Sequence, residues 1–317
     1  MRVGFIGLGN VGSKLAGNLA RCGTALVVRD LDEAALAPFR DAGVAVAESP
    51  AAVARDCEVV ITCLPSPAAS AAVLEGPDGV LAGLAPGTIW AEMSTTDEAE
   101  VVRLGRLVKA AGGRAADCPV SGGCHRAATG NISILVGAER DVFEALMPVL
   151  SVLGRRILHT GALGSASVLK VVTNYLATAN LVSLCEALTV SKAAGADLAT
   201  AFEAIRISSG NSFVHETESR VILAGSRDID FTMDLVLKDI GLFQSVADRT
   251  GVPLELNPLL IRVFEDGARR YGARANSPDI VRRLEEASGR RVLADGFPAA
   301  MVDDEPAAPG REIRPGD

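Results

Sequence analysis

Lys170 and Asn174 lie in the stretch Gly161-Ala162-Leu163-Gly164-Ser165-Ala166-Ser167-Val168-Leu169-Lys170-Val171-Val172-Thr173-Asn174, which reads as a turn followed by a helix start. Gly161 and Gly164 let the backbone bend, and Ser165 or Ser167 can cap the first turn. A spacing of four residues puts the lysine and the asparagine on one helix face. Val168, Leu169, Val171 and Val172 make the setting apolar. Desolvation disfavours a charged amine, so burial here would lower the lysine pKa towards the range in which it trades protons. Taken alone, the stretch equally suits a lysine that snorkels to solvent beside a satisfied core asparagine.

A second cluster stands at the amino terminus. Gly7-Leu8-Gly9-Asn10-Val11-Gly12 lies between a strand-like and a helix-like run. Glycines at this spacing permit a tight turn, close approach of backbone to a pyrophosphate, and tight helix–strand packing. Asp30 ends the next strand-like run. A carboxylate there accepts hydrogen bonds from an adenosine ribose and repels a 2′-phosphate, which predicts NAD. The neighbouring Arg29 could soften that choice, leaving NADP as the alternative.

Further segments fall at strand ends, where open α/β sheets bind ligands. Cys63-Leu64-Pro65-Ser66-Pro67 is one, and Glu92-Met93-Ser94-Thr95-Thr96 another. The hydroxyls of Ser94, Thr95 and Thr96 can bond a ligand, but capping the helix from Asp97 is the better reading of that segment alone. In Cys118-Pro119-Val120-Ser121-Gly122-Gly123, consecutive amides and a hydroxyl make a nest suited to a carboxylate, or an ordinary loop. Cys124-His125-Arg126 follows directly. Either one of these side chains faces the far end of a substrate with a second polar or anionic group, or His125 and Arg126 open a short surface helix. Lys238-Asp239, entering a later helix, reads by itself as a solvated surface pair.

The elements that must position these residues follow from periodicity. Strand-like runs at 2–6, 25–28, 44–46, 58–64, 88–91 and 114–117 alternate with helical ones, the signature of a doubly wound parallel sheet. After Gly164 long helical segments dominate. The expected architecture is α/β: a Rossmann domain over 1–163, an all-helical domain over 164–290, and a disordered tail over 291–317, where Pro, Gly and acidic residues accumulate.

Composition limits the function classes. Aromatic residues make up 4% of the 317 and the net charge is -8, which argues against nucleic-acid binding. The six cysteines form no CxxC pair and the three histidines are isolated, so no metal site is expected. The cysteines read as reduced thiols of a cytoplasmic protein, since no signal-like segment precedes the strand at Met1–Gly7. The apolar run Val168–Val190 contains Lys170, Asn174, Asn180 and Glu186 and reads as a buried helix rather than a membrane span.

Together these motifs resemble the β-hydroxyacid dehydrogenase family, the 3-hydroxyisobutyrate dehydrogenases in particular, from Met1 to about Arg283. Four signatures occur in order: Gly7-Leu8-Gly9-Asn10-Val11-Gly12, Pro119-Val120-Ser121-Gly122-Gly123, Gly161-x-x-Gly164 with Lys170 and Asn174, and Lys238-Asp239. The resemblance implies a Rossmann domain and a helical domain like that of 6-phosphogluconate dehydrogenase, through which a homodimer or homotetramer assembles. It implies Lys170 as general acid/base and Asn174 as a positioning group. Ser121, Gly122 and Gly123 would hold the carboxylate of a small substrate, and Leu64, Pro65, Thr95 and Lys238 would line the cofactor. The implied reaction is hydride transfer between NAD and a small β-hydroxy acid. An NADP-linked aldehyde reductase and a non-catalytic dinucleotide sensor are the competing readings. Val11 replaces a common methionine, and Ala166 a frequent glycine. The related imine reductases generally lack a lysine at the position of Lys170.

Overall fold

The structure, a computed structural model, describes residues 1–314 and 316. The elements of its first part are β1 (Arg2–Ile6), α1 (Gly12–Arg21), β2 (Ala25–Arg29), α2 (Glu33–Asp41), β3 (Ala45–Val46), α3 (Pro50–Asp56), β4 (Val59–Thr62), α4 (Pro67–Glu75), α5 (Val80–Gly83), β5 (Ile89–Glu92), α6 (Glu98–Ala110) and β6 (Arg114–Asp117). Then come β7 (Val120–Ser121), α7 (Gly123–Thr129), β8 (Ile132–Gly137), α8 (Arg140–Leu153) and β9 (Gly154–Gly161). The helices α9 (Ser165–Ala193), α10 (Leu198–Arg206), α11 (Phe213–Ala224), α12 (Met233–Thr250), α13 (Leu256–Tyr271) and α14 (Arg282–Ser288) follow, and β10 (Arg311–Ile313) closes the chain.

Alternation along the central strands decides which side chain enters which core. Val3, Phe5, Val28, Val59, Ile61 and Ile89 pack on one face of the sheet. Ile6, Val27, Val60 and Trp90 pack on the other. Both faces are therefore covered. The strand order is β10-β9-β8-β6-β5-β4-β1-β2-β3, parallel from β3 through β6. This contains the doubly wound order 3-2-1-4-5-6, with its switch point between β1 and β4. β8 runs antiparallel to β6, and β9 and β10 run parallel to β8.

The chain forms two compact units. The first takes Met1–Lys170 and the residues from Asp303 onward; the second is Val171–Val302. The two compact units thus divide inside α9, between Lys170 and Val171. The second unit is helical around Leu181, Leu184, Leu188, Phe202, Ile222, Val236, Ile240 and Phe264.

Two expectations need correction. From 291 onward the chain is not a disordered tail: Val292 is fully buried, Phe297 packs edge-on against Phe202, and β10 pairs with β9. Low apolar content hid this, because the segment adds a few side chains, Val292 and Phe297 among them, to an existing core and a short strand to an existing sheet edge. Positions 315 and 317 of that expected tail lie outside the described residues. The helix expected to be buried, α9, is long and apolar enough to cross a membrane by length and composition, yet only 33% of its most apolar window is buried. Leu169, Leu176 and Val190 stand exposed, the last at 67%.

Candidate active site

The parallel strands β1, β4, β5 and β6 end along one edge of the sheet, so the loops that follow them gather there. After β1 the glycine loop is shaped by two close approaches. Gly7 has φ +99 and a Cβ on it would stand 2.3 Å from the Cys63 carbonyl oxygen; one on Gly12 would stand 2.0 Å from that of Gly7. Over Gly9, in contrast, nothing lies within 4 Å. Val11, at the N-cap position of α1, makes no side-chain cap hydrogen bond. An open glycine ahead of a helix start fits a pyrophosphate, whose charge the helix amides and dipole favour.

Asp30 directly follows β2. Its carboxylate accepts from the Leu8 amide, and from the Asp32 amide at 2.9 Å. These bonds tie the acid to the glycine loop and leave lone pairs for a ligand.

The loops after β4 and β5 are joined. The Leu64 amide donates to Ser94 Oγ at 2.7 Å, while the Ser94 amide (2.9 Å) and hydroxyl donate to Glu92 Oε1. Glu92 is fully buried, and burial pushes its carboxyl above the usual range against the pull of these bonds. Ser94 is therefore engaged in holding the loop with Leu64 and Pro65. The helix α6 is capped by Asp97, which accepts from the amides of Ala99 (2.9 Å) and Glu100 (3.2 Å). This corrects the capping reading of Ser94–Thr96.

After β6 the chain turns through Cys118-Pro119 into β7, and Gly122 and Gly123 take φ +131 and +88. The short helix α7 follows; it carries His125 and Arg126, but both are half-buried rather than turned to water as a surface helix would have them. Arg126 pairs with Asp303 at 3.9 Å and Glu305 at 4.0 Å, and is not aimed outward as a lone cation. Burial and the Arg126 charge lower the His125 pKa, against the pull of Asp303.

The start of α9 is fixed from the sheet. Asp117 accepts from the amides of Gly164 (2.8 Å) and Ser167 (2.6 Å) and from Ser167 Oγ (2.8 Å). Lys170, one turn on, is buried at 7% exposure and does not snorkel to solvent. In the second unit, Asn174 Nδ2 donates to Asp239 Oδ2, and Lys238 Nζ lies 2.8 Å from Asp239 Oδ1. Tyr175 stacks on Phe243 at 4.3 Å, reinforcing the same α9–α12 contact. Asp239 is 2% exposed, which corrects the solvated-pair reading of Lys238-Asp239. The first unit thus holds the glycine loop, Asp30, Leu64, Pro65, Thr95, Ser121–Gly123 and Lys170, and the second holds Asn174 and Lys238.

Of the three supporting carboxylates, Asp117 escaped the motif search, while Glu92 and Asp239 stood in quoted motifs without a supporting role assigned. Glu92 and Asp117 share a legible signal, an acid at the carboxyl end of a strand, Ile89–Glu92 and Arg114–Asp117. A cavity of about 380 Å³, lined by Met1, Arg55, Glu58, Thr88 and Arg114 among others, opens at the amino ends of the strands, the opposite ends from Glu92 and Asp117. Among the described residues no His, Cys, Asp and Glu cluster could hold a metal.

A doubly wound sheet, an open glycine cradle and a carboxylate at the end of β2 define a dinucleotide-dependent oxidoreductase. Two family models match nearly all of the chain before its last segment. The NAD binding domain of 6-phosphogluconate dehydrogenase matches residues 2–161, and the NAD-binding domain of NADP-dependent 3-hydroxyisobutyrate dehydrogenase matches 164–284. The chain belongs to the β-hydroxyacid dehydrogenase family and is an NAD(P)-dependent hydroxyacid dehydrogenase in class. It is 33% identical to 2-(hydroxymethyl)glutarate dehydrogenase of Eubacterium barkeri, over 92% of this chain and 97% of that one. It is 32% identical to the mitochondrial 3-hydroxyisobutyrate dehydrogenase of Mus musculus, over 83% and 80% respectively. The solved 3-hydroxyisobutyrate dehydrogenase of Mycobacterium tuberculosis with L-serine superposes with a TM-score of 0.80 at 25% identity, over 90% of this chain and 99% of that one.

Proposed function

We propose that this chain interconverts a small 2-substituted 3-hydroxy acid and its semialdehyde, with NAD as preferred cofactor and Lys170 as general acid/base. The observation that carries the proposal is the burial of Lys170 one turn beyond a helix start clamped by Asp117.

Gly7, Leu8, Gly9, Asn10, Val11 and Gly12 would hold the pyrophosphate and Asp30 the ribose, while Leu64, Pro65, Thr95 and Lys238 would line the rest of the cofactor. When bound, the nicotinamide supplies the hydride acceptor for oxidation and the donor for reduction. The Ser121 hydroxyl and the Gly122 and Gly123 amides bind the substrate carboxylate. Lys170 Nζ takes the hydroxyl proton as the alcohol is oxidised and returns it to the carbonyl oxygen in reduction, a contribution of about 10²–10⁴-fold. Asn174, its amide held by Asp239, keeps the positioning role that the resemblance gives it.

The substrate class rests on a shared chemical core. 3-Hydroxyisobutyrate, 2-(hydroxymethyl)glutarate and L-serine, the compounds named for the relatives, are all carboxylates with a hydroxymethyl group on carbon 2. Only the other substituent differs: methyl, carboxyethyl or amino. Incubating the protein with NAD and each of the three, and following NADH absorbance, is the test. Turnover of at least one is expected. Silence on all three, with NAD still bound, would favour a non-catalytic dinucleotide-binding protein.

An NADP-linked reductase of small semialdehydes is the second reading. It is favoured by Arg29 beside Asp30 and by the NADP-dependent enzyme named in the second family model. The exposed apolar residues of α9, Leu169, Leu176 and Val190, support self-association through the helical part as a homodimer or homotetramer, which light scattering measures. Six free cysteines suit a reducing cytoplasm. Neither nucleic acid nor membrane enters this reading.

A further inference from the structure

The carboxyl-terminal segment lies beyond the family models, which end at residue 284. Its first residues in the first unit are acids, and they land on α7 and its flanks. Asp303, its side chain 3% exposed, accepts from Thr129 Oγ1 and from Asn131 Nδ2 at 2.6 Å. Asn131 Nδ2 also donates to the Glu305 carbonyl at 2.7 Å. Arg126 faces both acids, and Glu305 meets Arg155 (3.7 Å) and Arg156 (2.9 Å). Farther along, β10 pairs with β9, and Glu312 pairs with Arg140 at 2.6 Å.

α7 needs such support. It has seven residues and is bounded by Gly122–Gly123 and Gly130, all at positive φ, so its own hydrogen bonds fix its pose weakly. From one side, Asn18 and Arg21 of α1 donate to the carbonyls of Ala127 (2.7 Å) and Ala128 (2.8 Å). From the other, the segment at 303–305 holds Thr129, Asn131 and Arg126. The Arg126 stem in turn lies against Gly122, its Cδ 3.2 Å from where a Cβ would stand.

We infer that Asp303 is a positioning residue for substrate binding: the terminal strap, through Asp303 on Thr129, Asn131 and Arg126, holds Gly122 and Gly123 in the geometry that receives the substrate carboxylate. This rests on the proposed carboxylate role of Ser121–Gly123. Two aligned backbone amides are worth more than two wandering ones, because a preorganised site does not spend binding energy on ordering. The strap therefore acts on substrate affinity, not on the glycine loop or Lys170.

The test is steady-state kinetics on the full chain with a hydroxy acid that it turns over. Asp303→Ala should raise the KM for the acid about tenfold, the scale of one lost charge-assisted bond, with kcat and cofactor affinity within about twofold. The rise should be the same for methyl-bearing and carboxylate-bearing acids and should not add to that of Arg126→Ala. Glu312→Ala, which cuts the far anchor, should leave KM unchanged. Should Asp303→Ala not fold, Asp303→Asn carries the test, with about a threefold rise as the Arg126 charge pairing is lost. An unchanged KM in the Asp303 variant, or an equal rise in Glu312→Ala, overturns the inference. Ser121→Ala separates the two levels. Raised KM there beside an unaffected Asp303 variant overturns the strap alone, whereas unchanged KM in Ser121→Ala overturns the carboxylate site and the strap with it.

Discussion

Asp117 Oδ2 accepts both the amide and the hydroxyl of Ser167, at 2.6 and 2.8 Å, one turn before Lys170. A strand-end carboxylate thereby supplies the cap that a side chain at the helix start would otherwise provide. Burial pushes the Asp117 carboxyl upward, and the hydrogen bonds oppose that push. Asp117→Asn would present N–H groups to amides that need an acceptor. We expect a stability loss of about 1–3 kcal/mol. We also expect kcat to fall about tenfold at temperatures where the variant is still folded, because the lysine loses its fixed origin. Thermal unfolding and kcat on one preparation check both; a stability loss with unchanged kcat would refute the link to Lys170.

Removing the lysine amine should separate chemistry from binding. Lys170→Ala is expected to lower kcat about a hundredfold or more while NAD binding, followed by NADH fluorescence, stays nearly unchanged. Retained turnover in the alanine variant would remove the assigned role.

Cofactor choice should follow Asp30. The native protein is expected to show a higher kcat/KM with NAD than with NADP, since the carboxylate repels a 2′-phosphate. Asp30→Ala should raise the KM for NAD about tenfold by losing charge-assisted ribose bonds, and should narrow the preference. A native preference for NADP would instead point to Arg29.

The terminal strap should be acid-labile. The hydrogen bonds and charge of Arg140 hold the Glu312 carboxyl at about 2, below its ordinary 4.5. A depressed acid stabilises the fold fully above its unfolded pKa, and the contribution fades as pH falls through the folded value. The stability difference between the native protein and Glu312→Gln should thus be constant above about pH 5 and vanish towards pH 2. Denaturant titrations across that window measure it; a difference that grows on acidification would contradict the pairing.

The sequence alone determined whatever depends on local pattern. Glycine spacing after a strand, alternating strand and helix, and a lysine and asparagine at helical spacing are short-range features, because backbone sterics and side-chain periodicity act within a few residues. The glycine loop, Asp30, the Ser121–Gly123 turn and the Lys170 helix start were therefore legible. Tertiary structure decided which polar groups meet. Asp117 reaches Ser167, Asn174 reaches Asp239, and Asp303 reaches Thr129 only after the sheet and helices have packed. Those pairings obey a nonlocal rule: a buried donor or carboxylate must find a partner wherever the fold brings one. For the same reason Arg126, whose sequence position suggested a substrate contact, is matched by acids from a segment whose composition had suggested disorder.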